Sequence, residues 1–138
     1  MIKVVAVNGS PRMEKGYTAM VLTAFLEGMK EAGIHVELFY TRQLNVKPCT
    51  GEFQCWYNKS GECYIQDSMQ MIYPKLSEAD LLVLATPVYI PLSGEMQNFI
   101  NRLCAFIELI LIKHNGRTRV QFHNNINIKQ IALVSVCG

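Results

Sequence analysis

Residues 3–18 read KVVAVNGSPRMEKGYT, and the rest of the chain can be organised around them. The stretch opens on an apolar, β-branched run, Val4 to Val7, of the kind found in strands buried on both faces. It turns through Asn8, Gly9, Ser10 and Pro11, then enters an apolar-periodic segment that predicts a helix. At such a strand–loop–helix joint the first helical N–H groups lack intrahelical partners and the helix dipole adds partial positive charge, so an anion is favoured. Ser10 and Thr18 add hydroxyl donors, and Arg12 adds a planar cation suited to phosphate. Gly9 and Gly16 let the backbone approach closely. The stretch reads as a phosphate cradle; the plainer alternative is an ordinary βα turn. It carries neither G-x-G-x-x-G nor G-x-x-x-x-G-K-[ST], which counts against a dinucleotide Rossmann site and a P-loop.

At 138 residues the chain is long enough for a real core, and 1–138 is read as a single domain. Half of its residues are hydrophobic and 17% are charged, in keeping with a soluble globular protein. A net charge of +2 without any run of Lys or Arg argues against a nucleic-acid partner. No segment holds 18 consecutive apolar residues and the N-terminus lacks a cleavable apolar core, so no membrane partner and no signal peptide are expected. Five cysteines form an odd set with no sign of secretion. That favours reduced thiols in a cytoplasmic location and raises metal or redox chemistry before any disulfide framework.

Past the first loop, Thr18 to Ala32 carries Leu22, Phe25, Leu26 and Met29 at spacings of three and four, with Gly33 as a C-terminal cap. Ile34 to Tyr40 alternates and predicts a strand at a sheet edge, with His35 pointing to solvent. Thr41 to Gln66 has no clear period but holds Pro48, Gly51, Gly61, three cysteines and the only tryptophan. A loop that long inside a compact domain is usually functional. A helix is expected from about Asp67, its candidate N-cap, to Leu76, bent or shortened by Pro74. Leu81 to Thr86, LLVLAT, is a second buried strand that hands over to PVYIPLSG. The next helix, from about Gly94, is expected to carry Met96, Phe99, Ile100, Leu103, Ile107 and Ile110 on one face, with Cys104 as a small core residue. Asn115 to Lys129 reads as a polar loop, and Gln130 to Val136 as a third buried strand. Strands alternating with helices mean parallel βαβ units, whose ligands bind beyond the carboxyl ends of the strands. The loops at 8–18, 86–94 and 137–138 should therefore converge on one ligand.

These blocks together resemble the NADPH-dependent FMN reductase branch of the flavodoxin-like fold, especially its iron–sulfur flavoprotein-like members. The matching segments are GSPR through Thr18 at 9–18, the Pro48–Cys63 region with Cys55 and Trp56, ATPVY at 85–89 and SGEMQNFINR at 93–102. The resemblance implies a three-layer α/β sandwich with a parallel sheet. It also implies an oxidoreductase that passes electrons from NAD(P)H through bound FMN to a small-molecule or protein acceptor. By position it puts Ser10, Arg12, Tyr17 and Thr18 around the FMN phosphate, with Tyr17 standing where Asn is usual. Pro87, Val88 and Tyr89 would flank the isoalloxazine ring with their backbone amides at its polar edge, and Cys137 and Gly138 would supply the third flavin loop. Arg102 is read as a helix-surface or interface residue, and no catalytic acid–base pair is nominated. A homodimer or tetramer is implied as well.

Two departures from the resemblance stand out. Cys49, Glu52, Cys55 and Cys63 fall at the spacings of a four-cysteine cluster motif, but Glu52 replaces the second thiol. A cubane cluster wants soft thiolates, so Cys49, Cys55 and Cys63 remain candidate metal ligands while a stable iron–sulfur cluster is not favoured. Packing of the loop is the plainer reading of Trp56, against cover for the flavin or a dimer contact. The second departure is length: four strands are found where a flavodoxin-like domain has five, so the last strand and helix are missing. The fourth strand should then be an unpaired edge, apolar surface should be exposed, and FMN affinity could be weak. Either the chain is a fragment or an oligomer covers the edge. Besides the reductase, two alternatives are kept: a metal-containing electron-transfer flavoprotein, and a truncated non-catalytic flavodoxin-like module.

Overall fold

The structure, a computed structural model, describes residues 1–137. Strand β1 (Lys3–Asn8) leads through the 9–16 loop into helix α1 (Tyr17–Glu31), and β2 (His35–Tyr40) follows. Two short helices, α2 (Thr41–Leu44) and α3 (Gln54–Tyr57), interrupt the long loop before α4 (Met69–Glu78). Then come β3 (Leu81–Pro87), α5 (Gly94–Arg102), β4 (Ile107–His114), β5 (Arg117–Phe122) and β6 (Gln130–Val136). Four strands form one parallel sheet in the order β2-β1-β3-β6, with Val7 beside Phe39 on one side and Leu84 on the other. The flavodoxin-like class expected from the sequence is the one observed.

The period-2 alternation of strands explains the layers. Val5 and Val7 of β1 and Leu82 and Leu84 of β3 face α4 and α5, packing against Met69, Ile72, Leu76, Met96 and Phe99. Val4 and Ala6 of β1 and Val83 and Ala85 of β3 face α1, against Leu22 and Leu26. Each such fully buried aliphatic side chain is worth about 1.5–3 kcal/mol of transfer free energy. Central strands covered on both faces need an unbroken apolar run, which is what residues 4–7 and 81–85 supply. Gly33, at φ +78°, ends α1 in the left-handed region that glycine adopts without strain.

Five expectations are corrected. Helix α5 stops at Arg102, so Leu103 and Cys104 fall in the short 3-10 turn that follows, and Ile107 and Ile110 belong to β4. A short apolar run fits either period, and the β-branched Ile107, Ile110 and Ile112 tip it to strand. The polar loop expected after Asn115 contains β5, paired antiparallel with β4 as a separate two-stranded sheet. Its turn, Asn115–Gly116, has positive φ at both residues, the geometry that closes two-residue hairpins. Asp67 lies one residue before the N-cap Ser68, although its Oδ1 accepts the Met69 N–H at 2.9 Å. Pro74 sits inside α4, which runs on to Glu78.

The last correction concerns Arg102, expected on a surface or interface and found almost wholly buried. Its guanidinium holds Asp67 in a bidentate pair, Nη1 to Oδ2 at 2.6 Å and Nη2 to Oδ1 at 3.1 Å. Nη1 also donates to the Lys47 carbonyl at 2.9 Å and Nη2 to the Ile65 carbonyl at 3.2 Å. Such a planar fork can pin three chain segments at once, and Lys could not replace it. Burial works against the charge on both partners, but the hydrogen bonds between them outweigh it: Asp67 is held below the usual carboxylate range and Arg102 above its ordinary value. Among the described residues, no helix is long and apolar enough to cross a membrane.

Candidate cofactor site

The three loops that leave the carboxyl ends of β1, β3 and β6 are joined by hydrogen bonds. The Gly9 N–H donates to the Ala85 carbonyl at 2.7 Å, and the Ser93 hydroxyl donates to the Gly9 carbonyl at 2.6 Å. Ser93 Oγ also accepts the Met96 N–H at 3.2 Å, so one hydroxyl caps α5 and ties it to the first loop. The Val88 N–H donates to the Val136 carbonyl at 2.9 Å, which brings the end of β6, and Cys137 after it, beside the β3 loop. Parallel pairing of β1, β3 and β6 is the reason: neighbouring strands end together and release their loops on one edge.

Within the first loop the backbone is wound tightly. Ser10 N–H donates to Asn8 Oδ1 at 2.8 Å, Arg12 N–H to Ser10 Oγ at 3.2 Å, and Met13 N–H to the Ser10 carbonyl at 3.0 Å. Two glycines are required by space. A Cβ on Gly9 would stand 2.7 Å from the Met96 side chain, and one on Gly16 would stand 2.9 Å from Ser10 Oγ. Gly16 has no side chain with which to cap α1, so the N–H groups of Tyr17 and Thr18 are left for an outside acceptor. The buried hydroxyls of Ser10 and Thr18 flank that helix end, and the exposed Arg12 lies at its rim. Asn8 Nδ2, fully buried at the root of the loop, finds no acceptor among the described residues. A cradle of hydroxyls, free N–H groups and one cation fits a phosphate monoester.

Tyr17 projects outward, 68% exposed, so its ring borders the cradle and does not fill it. Pro87, Val88 and Tyr89 form an apolar rim on the β3 loop, with Tyr89 52% exposed and Ile90 fully so. The rim amides are engaged, however. Val88 N–H bonds Val136 and Tyr89 N–H bonds the Pro91 carbonyl at 2.9 Å, while Pro87 has no N–H to offer. In this arrangement a ring at the rim meets side chains and not those amides. Cys137 is exposed at the end of β6, and Gly138 lies outside the described residues.

The cysteine loop is arranged differently. Cys49 is exposed, Cys55 buried, and Cys63 and Cys104 half-buried; all four line one narrow recess with Glu52 and Arg102. Even so, the described residues hold no group of three side chains placed to bind a metal ion. Burial, with Cys104 beside it, raises the Cys55 thiol to about 11, which works against the thiolate a metal needs. Glu52 is turned to the Thr50 hydroxyl, a bond that holds its carboxyl below the ordinary range. Cys49, Cys55 and Cys63 therefore share a recess without forming a ligand set, and an iron–sulfur cluster does not fit this arrangement. Trp56 stacks on Phe53 with ring centroids 4.7 Å apart and donates from Nε1 to the Cys104 carbonyl at 3.2 Å. It packs within the loop.

Residue-by-residue reading overlooked Asp67 as the partner of Arg102 and Asn8 as a buried polar group at the cradle. Asp67 and Arg102 are 35 residues apart, and no local pattern links them. Asn8 was legible: a polar residue closing an apolar strand at a βα turn usually bonds the loop that follows.

Among solved structures, the fold matches NAD(P)H:quinone oxidoreductase from Methanothermobacter marburgensis with a TM-score of 0.71 at 16% identity, over 99% of this chain and 65% of that one. An FMN-dependent NADH-azoreductase from Bacillus anthracis str. Ames Ancestor, solved in complex with FMN, matches with a TM-score of 0.60 at 13% identity, over 100% of this chain and 70% of that one. At such identities the likeness is one of fold. In sequence, an iron–sulfur flavoprotein of Methanocaldococcus jannaschii is 35% identical over 88 residues, covering 64% of this chain and 44% of the relative. An iron–sulfur flavoprotein of Archaeoglobus fulgidus is 31% identical over 102 residues, covering 73% of this chain and 48% of the relative. The chain thus spans about half the length of the curated relatives it matches. The family model for NADPH-dependent FMN reductase matches residues 2–138, and the chain belongs to that family.

Proposed function

We propose that the protein is an FMN-dependent NAD(P)H oxidoreductase that passes electrons from a nicotinamide to a small-molecule or protein acceptor. The observation that carries this reading is the uncapped N-terminus of α1, flanked by the buried hydroxyls of Ser10 and Thr18 and held against the β3 loop by the Gly9–Ala85 and Ser93–Gly9 hydrogen bonds. Tyr17 and Thr18 N–H, the two hydroxyls and Arg12 would hold the phosphate. Pro87, Val88, Tyr89 and Cys137 would border the ring and keep water from one of its faces. FMN, when bound, supplies the exchange between two-electron and one-electron chemistry. The protein's part is to bind and orient it. The free cysteines fit a reducing cytoplasm. A homodimer or tetramer would cover β6, where Ile131 is 53% and Leu133 62% exposed.

The test is titration of the purified chain with FMN, followed anaerobically with NADPH. Quenching of flavin fluorescence, loss of that quenching in Arg12→Gln and Thr18→Ala, and bleaching of the bound flavin by NADPH are expected. A chain that leaves FMN fluorescence unchanged would remove this reading. It would leave the second one, a flavodoxin-like module without flavin, which is favoured by the Val88 and Tyr89 amides being already bonded within the protein.

A further inference from the structure

The β4–β5 ribbon is the part of the molecule that none of this uses. Every residue from Leu109 to Val120 is exposed, so the ribbon stands away from both faces of the main sheet. Leu111 pairs with Val120 on one face, and Ile112 pairs with Arg119 on the other. Aliphatic side chains are therefore presented on both faces, with Leu111 71% exposed. An isolated two-stranded ribbon is marginal in water, and an apolar one calls for cover. The ribbon is also where the positive charge lies. Lys113, Arg117 and Arg119 fall between residues 109 and 120 with no carboxylate among them, while the remainder of the chain holds ten Lys and Arg against eleven Asp and Glu. The chain-wide net charge of +2 conceals this concentration.

We propose that this ribbon is a docking surface for an anionic lipid bilayer. Aliphatic side chains interleaved with cations suit the boundary between acyl chains and anionic headgroups, where Lys and Arg stems lie along the apolar layer and their charges reach outward. Other occupants fit less well. Nucleic acid would match the charge, but its bases stack best on large aromatic rings, and residues 109–120 hold no Phe, Tyr or Trp. A second copy placed ribbon to ribbon would match the apolar surface but bring two sets of cations together, while the ribbon's one carboxylate, Glu108, is half-buried and bonded by Gln121. An acidic protein would answer the charge and leave Leu109 to Ile112 unmatched.

The test is co-sedimentation of the full chain with vesicles of phosphatidylglycerol and phosphatidylcholine in equal parts, against pure phosphatidylcholine. Binding is expected to the first and not the second, and it should weaken as salt is raised. Arg117→Gln with Arg119→Gln should weaken it by about fivefold for each charge removed. Leu111→Ser should weaken it too, with an unchanged thermal melt showing that the fold is retained. The proposal is overturned if the chain ignores the anionic vesicles, or if binding is unaffected by all three substitutions. It is equally overturned if sedimentation velocity shows a dimer that Leu111→Ser dissociates while vesicles stay unbound, an outcome that assigns the ribbon to a second copy.

Discussion

Strands β1 and β6 are close in composition and opposite in surroundings. β1 reads KVVAVN and is buried from Val4 onward; β6 reads QIALVSV and is exposed or half-exposed throughout. β1 has a strand on each side and helices on both faces, whereas β6 pairs only with β3. Only Ala132 and Val134 of β6 pack against the α1-side core, and Ile131 and Leu133 on the other face meet no helix. An apolar strand is thus not by itself a core strand. Its worth depends on what the tertiary structure lays over it. The same contrast separates the two loops: the 9–18 loop is fixed by bonds to β3 and α5, and the cysteine loop is held by the buried fork of Arg102 with further bonds from Trp56 and Gln70.

The comparison can be broken most forcefully at Arg102. Arg102→Ala strands the buried Asp67 and frees the Lys47 and Ile65 carbonyls, and a loss of about 3–5 kcal/mol is expected in urea unfolding. If the loss is under about 1 kcal/mol, the fork does not hold the loop. The pair should also shape acid stability. Since the folded-state pKa of Asp67 lies below its ordinary value, its contribution is complete above the ordinary carboxylate range and is lost as pH falls through and below that range. Unfolding curves of Asp67→Asn should accordingly be flatter with pH on the acid side than those of the unaltered chain.

A paired truncation tests the strands directly. Leu82→Ala, in fully buried β3, should cost about 2–5 kcal/mol, because a cavity opens between the sheet and α4. Leu133→Ala, one strand away, should change stability by no more than about 0.5 kcal/mol in the isolated chain. If it costs as much as Leu82→Ala, β6 is covered in solution, and concentration dependence of the melt would show by what. Between these two in size lies Gly9→Ala. Its methyl group would press on Met96 at the join of the two site loops, costing about 1–3 kcal/mol and weakening FMN binding together.

Much of the fold was legible in the chain because it is written locally. Runs such as Val4–Val7 and Leu81–Ala85, and stripes such as Leu22, Leu26 and Met29, declare strand and helix by period alone. The cradle was legible for a related reason: its hydroxyls, glycines and helix start lie within ten residues at 9–18. The β4–β5 ribbon was misread because Leu109–Ile112 suits either period, although Asn115–Gly116 between two runs was a hairpin signal in plain view. Which amides of the β3 loop are free could not be read, since Val88 spends its N–H on a residue 48 positions away.

The sequence by itself determined the class of the fold, the order of the elements of the main sheet and the place of the candidate cradle, because each rests on neighbours in the chain and on the period of the backbone. Only the tertiary structure decided that Arg102 is buried, that Cys55 packs beside Cys104, and that the Val88 amide is bonded to Val136. Those outcomes depend on which residues distant in sequence meet, and on whether desolvation is repaid by a partner.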